Sequence, residues 1–360
     1  MKSILHLMNF INNGGAERYI ISLAKGLKDK GFKFFVGVSK RTYNSCEKEL
    51  EMLGVKIVLI PIKNVLDIFS AIKISNFCRQ NNIDIIHTHF LRENCVAIVS
   101  KIFGNKAFII NTCHMNWHNR RDVQILNRVL TRFNKKIIAV SKSVEDNLIK
   151  EGIDKNKIQV VYNGVDYSYW SQDIKSTIGE EFNINEDVFK VVTVARFNEE
   201  KGYFYLLDII EEIKNRINLN KFKFILVGDG ELRHEVEDYG ASKNILDAII
   251  FTGFRSDIKN ILKGAHLYIS PSKNEALGIS ILEAMACGVP VIATNVSGSA
   301  EILGEDSQYL IEYGNKKDGA NRVLQIYNNY GNIKEYIAKK EKDRIKYIFN
   351  IDEMLRKTYS

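Results

Sequence analysis

The sequence predicts an α/β protein with parallel sheets covered by helices on both faces, arranged as two lobes. Two observations lead there. Short apolar runs alternate with stretches whose apolar residues recur at helical spacing, the pattern of β-α units that feed a parallel sheet. The chain has 360 residues, too many for one typical core and enough for two domains. Its composition, 45% hydrophobic and 26% charged, is ordinary for a globular protein. Apolar runs such as Val55 to Ile62 stop far short of a membrane span. The N-terminal run is interrupted by His6 and Asn9 and ends in glycines, which suits a buried first strand better than a signal peptide. Cys46, Cys78, Cys95, Cys113 and Cys287 show no CxxC pair and no metal spacing, so they read as reduced thiols in a cytosol.

In the first lobe, Ser3–Met8 reads as the opening strand. Gly14 and Gly15 then start a helix running to about Lys30, with Ile20, Leu23, Ala24 and Leu27 on one face. Two glycines at such a turn let the backbone approach a ligand closely. Glu17 either serves that ligand or is a first-turn glutamate favoured by the helix dipole. Further strands are expected near 32–38, 55–60, 83–88, 107–112, 136–140 and 157–162. His87 and His89 end the strand IDIIHTHF. They are read as pointing to opposite faces, which argues against a zinc site. One of them is expected near the ligand side, because ligands in open α/β sheets lie beyond the strand C-termini. His114 and His118 follow the next strand.

Next comes NRRDVQILNRVLTRFNKK, in which Val123, Leu126, Val129, Leu130 and Phe133 form an apolar face. Arg121, Arg128, Arg132 and Lys135 form a basic stripe, extended by Arg120 and Lys136. One reading is a core-packed helix with a solvated basic face. The other is an interfacial helix that meets anionic lipid. Net charge is +8, unevenly placed: residues 1–170 carry 26 Lys and Arg against 14 Asp and Glu, residues 171–360 carry 25 against 29. The basic first lobe therefore faces something anionic. No RNP, helix-turn-helix or zinc-finger pattern accompanies the charge, so no nucleic acid is expected and an anionic membrane surface is the candidate partner.

A polar linker is expected from Gly164 to about Asp187. After the strand 189–195 come Arg196 and Lys201. An arginine fork and a lysine point charge five positions apart can reach one diphosphate. A lysine near a helix start is otherwise misplaced, which itself suggests function. Strands at 222–227 and 249–253 end in Gly228-Asp229-Gly230 and in Phe254-Arg255. The stretch from Leu267 to Leu303 reads strand, loop, helix, strand, loop, helix. Glu275 sits in its first loop, Leu277, Gly278 and Ile279 lead into the helix, and Glu283 lies two turns in. A helix N-terminus favours phosphate, and Gly278 permits close approach. Glutamates flanking it suit sugar hydroxyls, so together they suggest a nucleotide-sugar; the alternative is a strand–helix unit with two solvated glutamates.

Glu275 and Glu283, eight positions apart, with the run EAMACGVPVIAT, the R-x-x-x-x-K-G of 196–202, the G-D-G turn and the N-G-V-D of 163–166, resemble the signature of family-4 retaining glycosyltransferases. The resemblance implies the GT-B fold, two Rossmann-like parallel-sheet domains facing across a cleft that holds the active site. The expected division is 1–166, with a C-terminal helix of about 344–360 packing back on it, and 167–343. It implies Glu275 on the donor sugar, Glu283 on the ribose, and the amides near Leu277, Gly278 and Ile279 on the diphosphate. Arg196 and Lys201 take the leaving diphosphate, and His114, by its T-x-H placement, takes the donor sugar. Gly14 and Gly15 face donor phosphates and acceptor; Gly228, Gly230, Phe254, Arg255 and Gly298 lie near the nucleotide. Leu277 departs from the aromatic residue frequent in the family, and nothing carries over for 306–319. The implied activity is retaining transfer from a nucleotide-sugar, expected UDP-linked, to a glycan or lipid-linked acceptor in bacterial polysaccharide synthesis, in the cytoplasm or at the inner face of the membrane. No D-x-D occurs, so metal independence and no cofactor are expected. The alternatives are a nucleotide-sugar epimerase on the same fold and a non-catalytic nucleotide-sugar-binding partner.

Overall fold

The computed structural model describes residues 2–12, 14–115 and 120–359. Two compact units emerge, Met1–Asn163 with Ile351–Ser360, and Gly164–Asn350. The first holds a seven-stranded sheet of β1 (Ser3–Met8), β2 (Lys33–Val38), β3 (Lys56–Leu59), β4 (Ile85–Thr88), β5 (Phe108–Cys113), β6 (Lys136–Ala139) and β7 (Ile158–Val160). Its order is β3-β2-β1-β4-β5-β6-β7, with every pairing parallel. Period-two alternation sorts its core onto two faces. Ile4 and Met8 pack with the helix Gly15–Leu27 and with Met354 and Leu355 of the C-terminal helix Ile351–Tyr359. Leu5 and Leu7 pack with Phe35, Ile74, Ile86 and Ile109 on the other face. β4 starts later than the apolar pattern implies because the Ile83 amide donates to the Cys78 carbonyl at the preceding helix end.

The basic helix spans Arg121–Leu130 and buries none of its residues. Ile125, Val129 and Phe133 are exposed, at 61%, 48% and 58%. The core-packed reading of its whole apolar face therefore does not hold; Leu130 is the residue that packs against the sheet's core.

The second unit holds a six-stranded sheet of β8 (Phe189–Val194), β9 (Phe222–Val227), β10 (Ile249–Gly253), β11 (Leu267–Ser270), β12 (Val291–Thr294) and β13 (Leu310–Ile311). The order is β10-β9-β8-β11-β12-β13, again all parallel. β13 was not anticipated: two residues are too few to show a period. After it, Lys316–Tyr347 runs as one long helix with non-helical backbone at Asn329. The Asn329 side chain donates to the Gln325 carbonyl at 2.9 Å, competing with the helix's own i−4 bonding and accounting for the kink.

Glu341 on this helix is buried. Its Oε1 accepts from the Val291 amide at 3.1 Å, and its Oε2 has no hydrogen-bond partner among the described residues. Burial raises its carboxyl well above the usual 4.5. The folded state therefore binds the proton more tightly than the unfolded state, and stability falls as pH rises between the two values. Glu341→Gln is expected to remove that fall, a slope difference of about 1.4 kcal/mol per pH unit within the window. Denaturant titrations in steps from about pH 5 to about pH 8 test it; parallel stability curves for the two proteins would show that Glu341 titrates normally.

Candidate active site

Because every pairing is parallel, the loops after β8, β9, β10, β11 and β12 emerge along one edge of the second sheet, where ligands of open α/β sheets bind. Backbone bonds tie these loops together. The Phe197 amide donates to the Asp229 carbonyl at 3.0 Å, and the Gly228 amide to the Gly253 carbonyl at 2.9 Å. The Lys273 amide donates to the Glu200 carbonyl at 2.7 Å, and the Gly298 amide to the Glu275 carbonyl at 3.0 Å. Gly202 has φ +65, and a Cβ there would strike the Pro271 carbonyl. This position needs glycine for both reasons, and it brings the loop after β8 against the loop after β11.

At this junction Lys201 Nζ lies 2.6 Å from Glu275 Oε2. Both side chains are mostly covered, at 23% and 14% exposed. Glu275 Oε2 also accepts from Ser272 Oγ at 3.4 Å. Three residues on, Gly278 is the N-cap of the helix Ile279–Ala286 and no side chain caps it. The Ile281 amide donates back to the Gly278 carbonyl at 3.1 Å, and the helix start carries the partial positive charge of its first-turn amides. Inside that helix, Ser280 Oγ accepts from the Tyr268 hydroxyl at 2.8 Å. Burial, with Glu275 and Glu283 nearby, raises that hydroxyl above its ordinary range. Leu277 is buried, and Glu283 is half-buried. Arg196 is exposed and makes no ion pair among the described residues.

The Arg255 guanidinium is committed elsewhere. It donates to Asp257 at 2.8 and 2.7 Å and to Glu181, and these bonds hold Asp257 down at about 2. A side-chain contact from Arg255 to a nucleotide would have to break those pairs. Phe254 beside it is 48% exposed. Gly230 closes its turn by donating to its neighbour Asp229 Oδ1 at 2.8 Å.

In the first unit, Gly14 is the N-cap of the helix Gly15–Leu27. Glu17 resolves to the structural alternative: it accepts from the Asn12 amide at 2.9 Å and the Gly14 amide at 3.1 Å, shaping the loop. A Cβ at Gly14 would press on that carboxylate. The expectation that His87 and His89 point to opposite faces is corrected. Residues two apart on a strand share a face, and the two rings stack with centroids 4.7 Å apart. His6 on the adjacent β1 faces them, its Nδ1 2.9 Å from His89 Nε2. The spacing of two between His87 and His89 was the available signal that these two share a face; the register of β1 against β4 sets His6 beside His87. His114 joins it, Nε2 to His89 Nδ1 at 2.9 Å. His118 lies outside the described residues. Of the basic stripe, Arg120 pairs with Asp122 at 3.0 Å, Arg128 donates to the Glu151 carbonyl at 3.2 Å, and Lys135 sits over the Phe108 ring. Arg121 and Arg132 are exposed.

Two all-parallel Rossmann-like sheets define an α/β protein of the GT-B type. A family model described as glycosyl transferases group 1 matches residues 175–346, and one described as Glycosyltransferase Family 4 matches residues 13–169. An uncharacterized glycosyltransferase of Methanocaldococcus jannaschii is 30% identical over 91% of this chain and 89% of its own. The UDP-Gal:alpha-D-GlcNAc-diphosphoundecaprenol alpha-1,3-galactosyltransferase of Escherichia coli is 25% identical over 81% and 78%. Among solved structures, Anabaena HepE in complex with UDP and glucose superposes with a TM-score of 0.86 at 20% identity, over 99% of this chain and 98% of its own. A Rickettsia africae glycosyltransferase gives 0.87 at 24% identity, over 99% and 96%. The chain belongs to the glycosyltransferases, its second half of group 1 and its first half of family 4.

Proposed function

We propose that this glycosyltransferase moves a sugar from a UDP-sugar to a glycan or lipid-linked acceptor, with retention at the anomeric carbon, in bacterial polysaccharide synthesis. The observation that carries the reading is the Lys201–Glu275 pair, 2.6 Å apart, just before the uncapped start of the helix Ile279–Ala286. A cation held by a carboxylate beside a helix N-terminus is a ready diphosphate site, and the carboxylate freed on binding suits sugar hydroxyls. The UDP and glucose bound in the HepE structure, and the UDP-Gal in the Escherichia coli relative's name, support a UDP-linked donor.

In the proposed step the bond between the anomeric carbon and the diphosphate oxygen breaks, and UDP leaves with the electron pair. The acceptor hydroxyl attacks from the same face and passes its proton to the departing phosphate. Arg196, Lys201 and the amides of Leu277, Gly278 and Ile279 take up the charge that develops on UDP, in a preorganised arrangement. Those groups can supply the stabilisation a divalent ion would provide, so no metal or cofactor is assigned. Glu283 holds the ribose, the backbone at 228–230 and 254–255 borders the nucleotide, and His114 takes a hydroxyl of the transferred sugar. Gly14 and Gly15 are assigned to donor and acceptor. The test is UDP release from UDP-sugars with and without a lipid-linked acceptor, in EDTA, with the product's anomeric configuration read by NMR. Release with no acceptor-dependent product would remove the transfer reading and favour an epimerase; UDP binding with no turnover would leave a binding protein.

No helix among the described residues is long and apolar enough to cross a membrane. The helix Arg121–Leu130 supports peripheral contact instead. Exposed Ile125, Val129 and Phe133 recur on one side, interleaved with Arg121, Arg128 and Arg132. Basic residues add about 1 kcal/mol each near anionic lipid. Arg121→Gln with Arg132→Gln is therefore expected to weaken binding to anionic vesicles by roughly 30-fold at low salt, as measured by co-sedimentation. Equal binding of wild type to neutral and anionic vesicles would remove the membrane from the proposal.

A further inference from the structure

The loop after β3 and the start of the helix that follows it, Ile68–Gln80, turn large apolar side chains outward. Leu66 is 66% exposed, Ile68 53%, Phe69 86% and Ile72 36%. The helix already spends another face on the core, where Ala71, Ile74 and Cys78 pack with Leu5 and Leu7. Ile68, Phe69 and Ile72 are one and four positions apart, so they share the outward side. Single exposed apolar residues are ordinary, whereas a contiguous group marks a surface that meets something. The backbone that presents this group is fixed. Asp67 caps the helix: its Oδ1 accepts from the Ser70 amide and its Oδ2 from the Lys63 amide, both at 3.0 Å. The Ser70 hydroxyl donates to the Pro61 carbonyl at 2.9 Å, the Ile62 amide to Ser39 Oγ at 3.0 Å, and the Leu66 amide to Asn64 Oδ1 at 2.9 Å. Side chains held on an ordered backbone lose little freedom on docking.

Charge narrows the partner. Lys63 and Lys73 are exposed and flank the group in the chain. Asp67 is the one acid between Val55 and Ile83, and it is buried and spent on the cap. The segment thus offers cations and apolar groups to solvent with no exposed carboxylate of its own. The helix Arg121–Leu130 lies on the same side of the sheet, because the helices Ile68–Gln80 and Leu91–Val99 pack into one core there and Leu130 packs against it. Each of these helices runs back from the C-terminal end of its strand, so Ile68 and Arg121 start at the same edge of the sheet. Both helices show the same outward mixture of large apolar and basic side chains. An anionic lipid surface complements that mixture, with phosphates for the cations and acyl chains for the apolar groups. A second copy of this chain seated on the same patch would set lysines against lysines, which disfavours it.

We infer that Leu66, Ile68, Phe69 and Ile72 form an apolar wedge that enters an anionic bilayer, with Lys63 and Lys73 at the level of the headgroups. This deepens, and rests on, the peripheral contact proposed for the helix Arg121–Leu130. The two parts act over different ranges. The arginines attract the surface across a Debye length and are screened by salt. The wedge acts only on contact, by removing apolar surface from water, and salt does not screen it. The lysine stems let the ammonium groups stay among phosphates while their apolar neighbours go deeper.

The test is co-sedimentation of the full chain with vesicles of phosphatidylglycerol and phosphatidylcholine, at low salt and at about 1 M salt, where the Debye length is about 3 Å. Wild type is expected to keep part of its binding at high salt. Phe69→Ser and Leu66→Ser are each expected to lower that salt-resistant binding roughly tenfold, with melting curves like wild type because both side chains are exposed. The variant Arg121→Gln with Arg132→Gln is expected to lose chiefly the low-salt gain. In Phe69→Trp, lipids brominated on their acyl chains are expected to quench the new indole. Wild-type binding that vanishes at high salt, or that survives undiminished in both serine variants, would overturn the wedge and leave the arginine contact standing. An indole that brominated lipids do not reach would overturn it as well. No binding at low salt would remove the membrane contact altogether and the wedge with it. A dimer in sedimentation velocity that Phe69→Ser dissolves would overturn the wedge by giving the patch to a second copy.

Discussion

Lys201→Ala and Arg196→Ala are each expected to lower kcat by on the order of 100- to 1000-fold, about 3 kcal/mol, the usual cost of removing one preorganised donor from a developing anion. The two variants differ in what else they disturb. Arg196 is exposed with no ion pair among the described residues, so its loss leaves stability near wild type. Lys201→Ala removes the 2.6 Å partner of Glu275 and leaves a mostly covered carboxylate unpaired, which costs stability as well as rate. Lys201→Ala with Glu275→Gln separates the effects: stability returns and turnover does not. Steady-state kinetics with a melting curve for each variant decide the matter. Near-normal turnover in both single variants would end the assignment of the leaving-group site.

Glu283→Ala is expected to abolish the thermal shift that UDP produces. A ligand at 100 times its dissociation constant stabilises the folded state by about 2.7 kcal/mol, a rise of several degrees for a unit of this size. Glu283 is half-buried in the helix whose start is assigned to the diphosphate, so losing the ribose contact weakens the nucleotide without touching the phosphate donors. Melting curves with UDP, GDP, dTDP and ADP, on wild type and variant, test it. A shift with GDP or dTDP in place of UDP would change the donor and keep the mechanism. A UDP shift of equal size in Glu283→Ala would remove Glu283 from the site.

The residues proposed for the nucleotide could be named from the sequence because the chemistry assigned to them is local. A glycine at a helix start, flanked by glutamates and preceded by an apolar strand, carries its meaning within a dozen residues. The pairing of Lys201 with Glu275 was not legible. It arises because β8 lies beside β11 in the sheet, and strand order is no property of either segment. Arg255 shows the same limit: its partner Glu181 lies far back in the chain, in what read as a linker. Glu17 was legible as a choice between two roles, and the Asn12 and Gly14 amides decided it.

The sequence by itself determined the class: alternating periods of two and 3.6 specify strands and helices locally, and the stretch from Leu267 to Leu303 marks the family. Strand parity was also there to be read, since His87 and His89 must share a face. Only the tertiary structure decided that His6 comes to face them from β1 and that Tyr359, near the C-terminus, bonds to both His6 and His87. Periodicity acts within a window of a few turns, whereas a buried hydrogen bond is satisfied by whichever group packing delivers. Here the last helix delivers that group to the first strand.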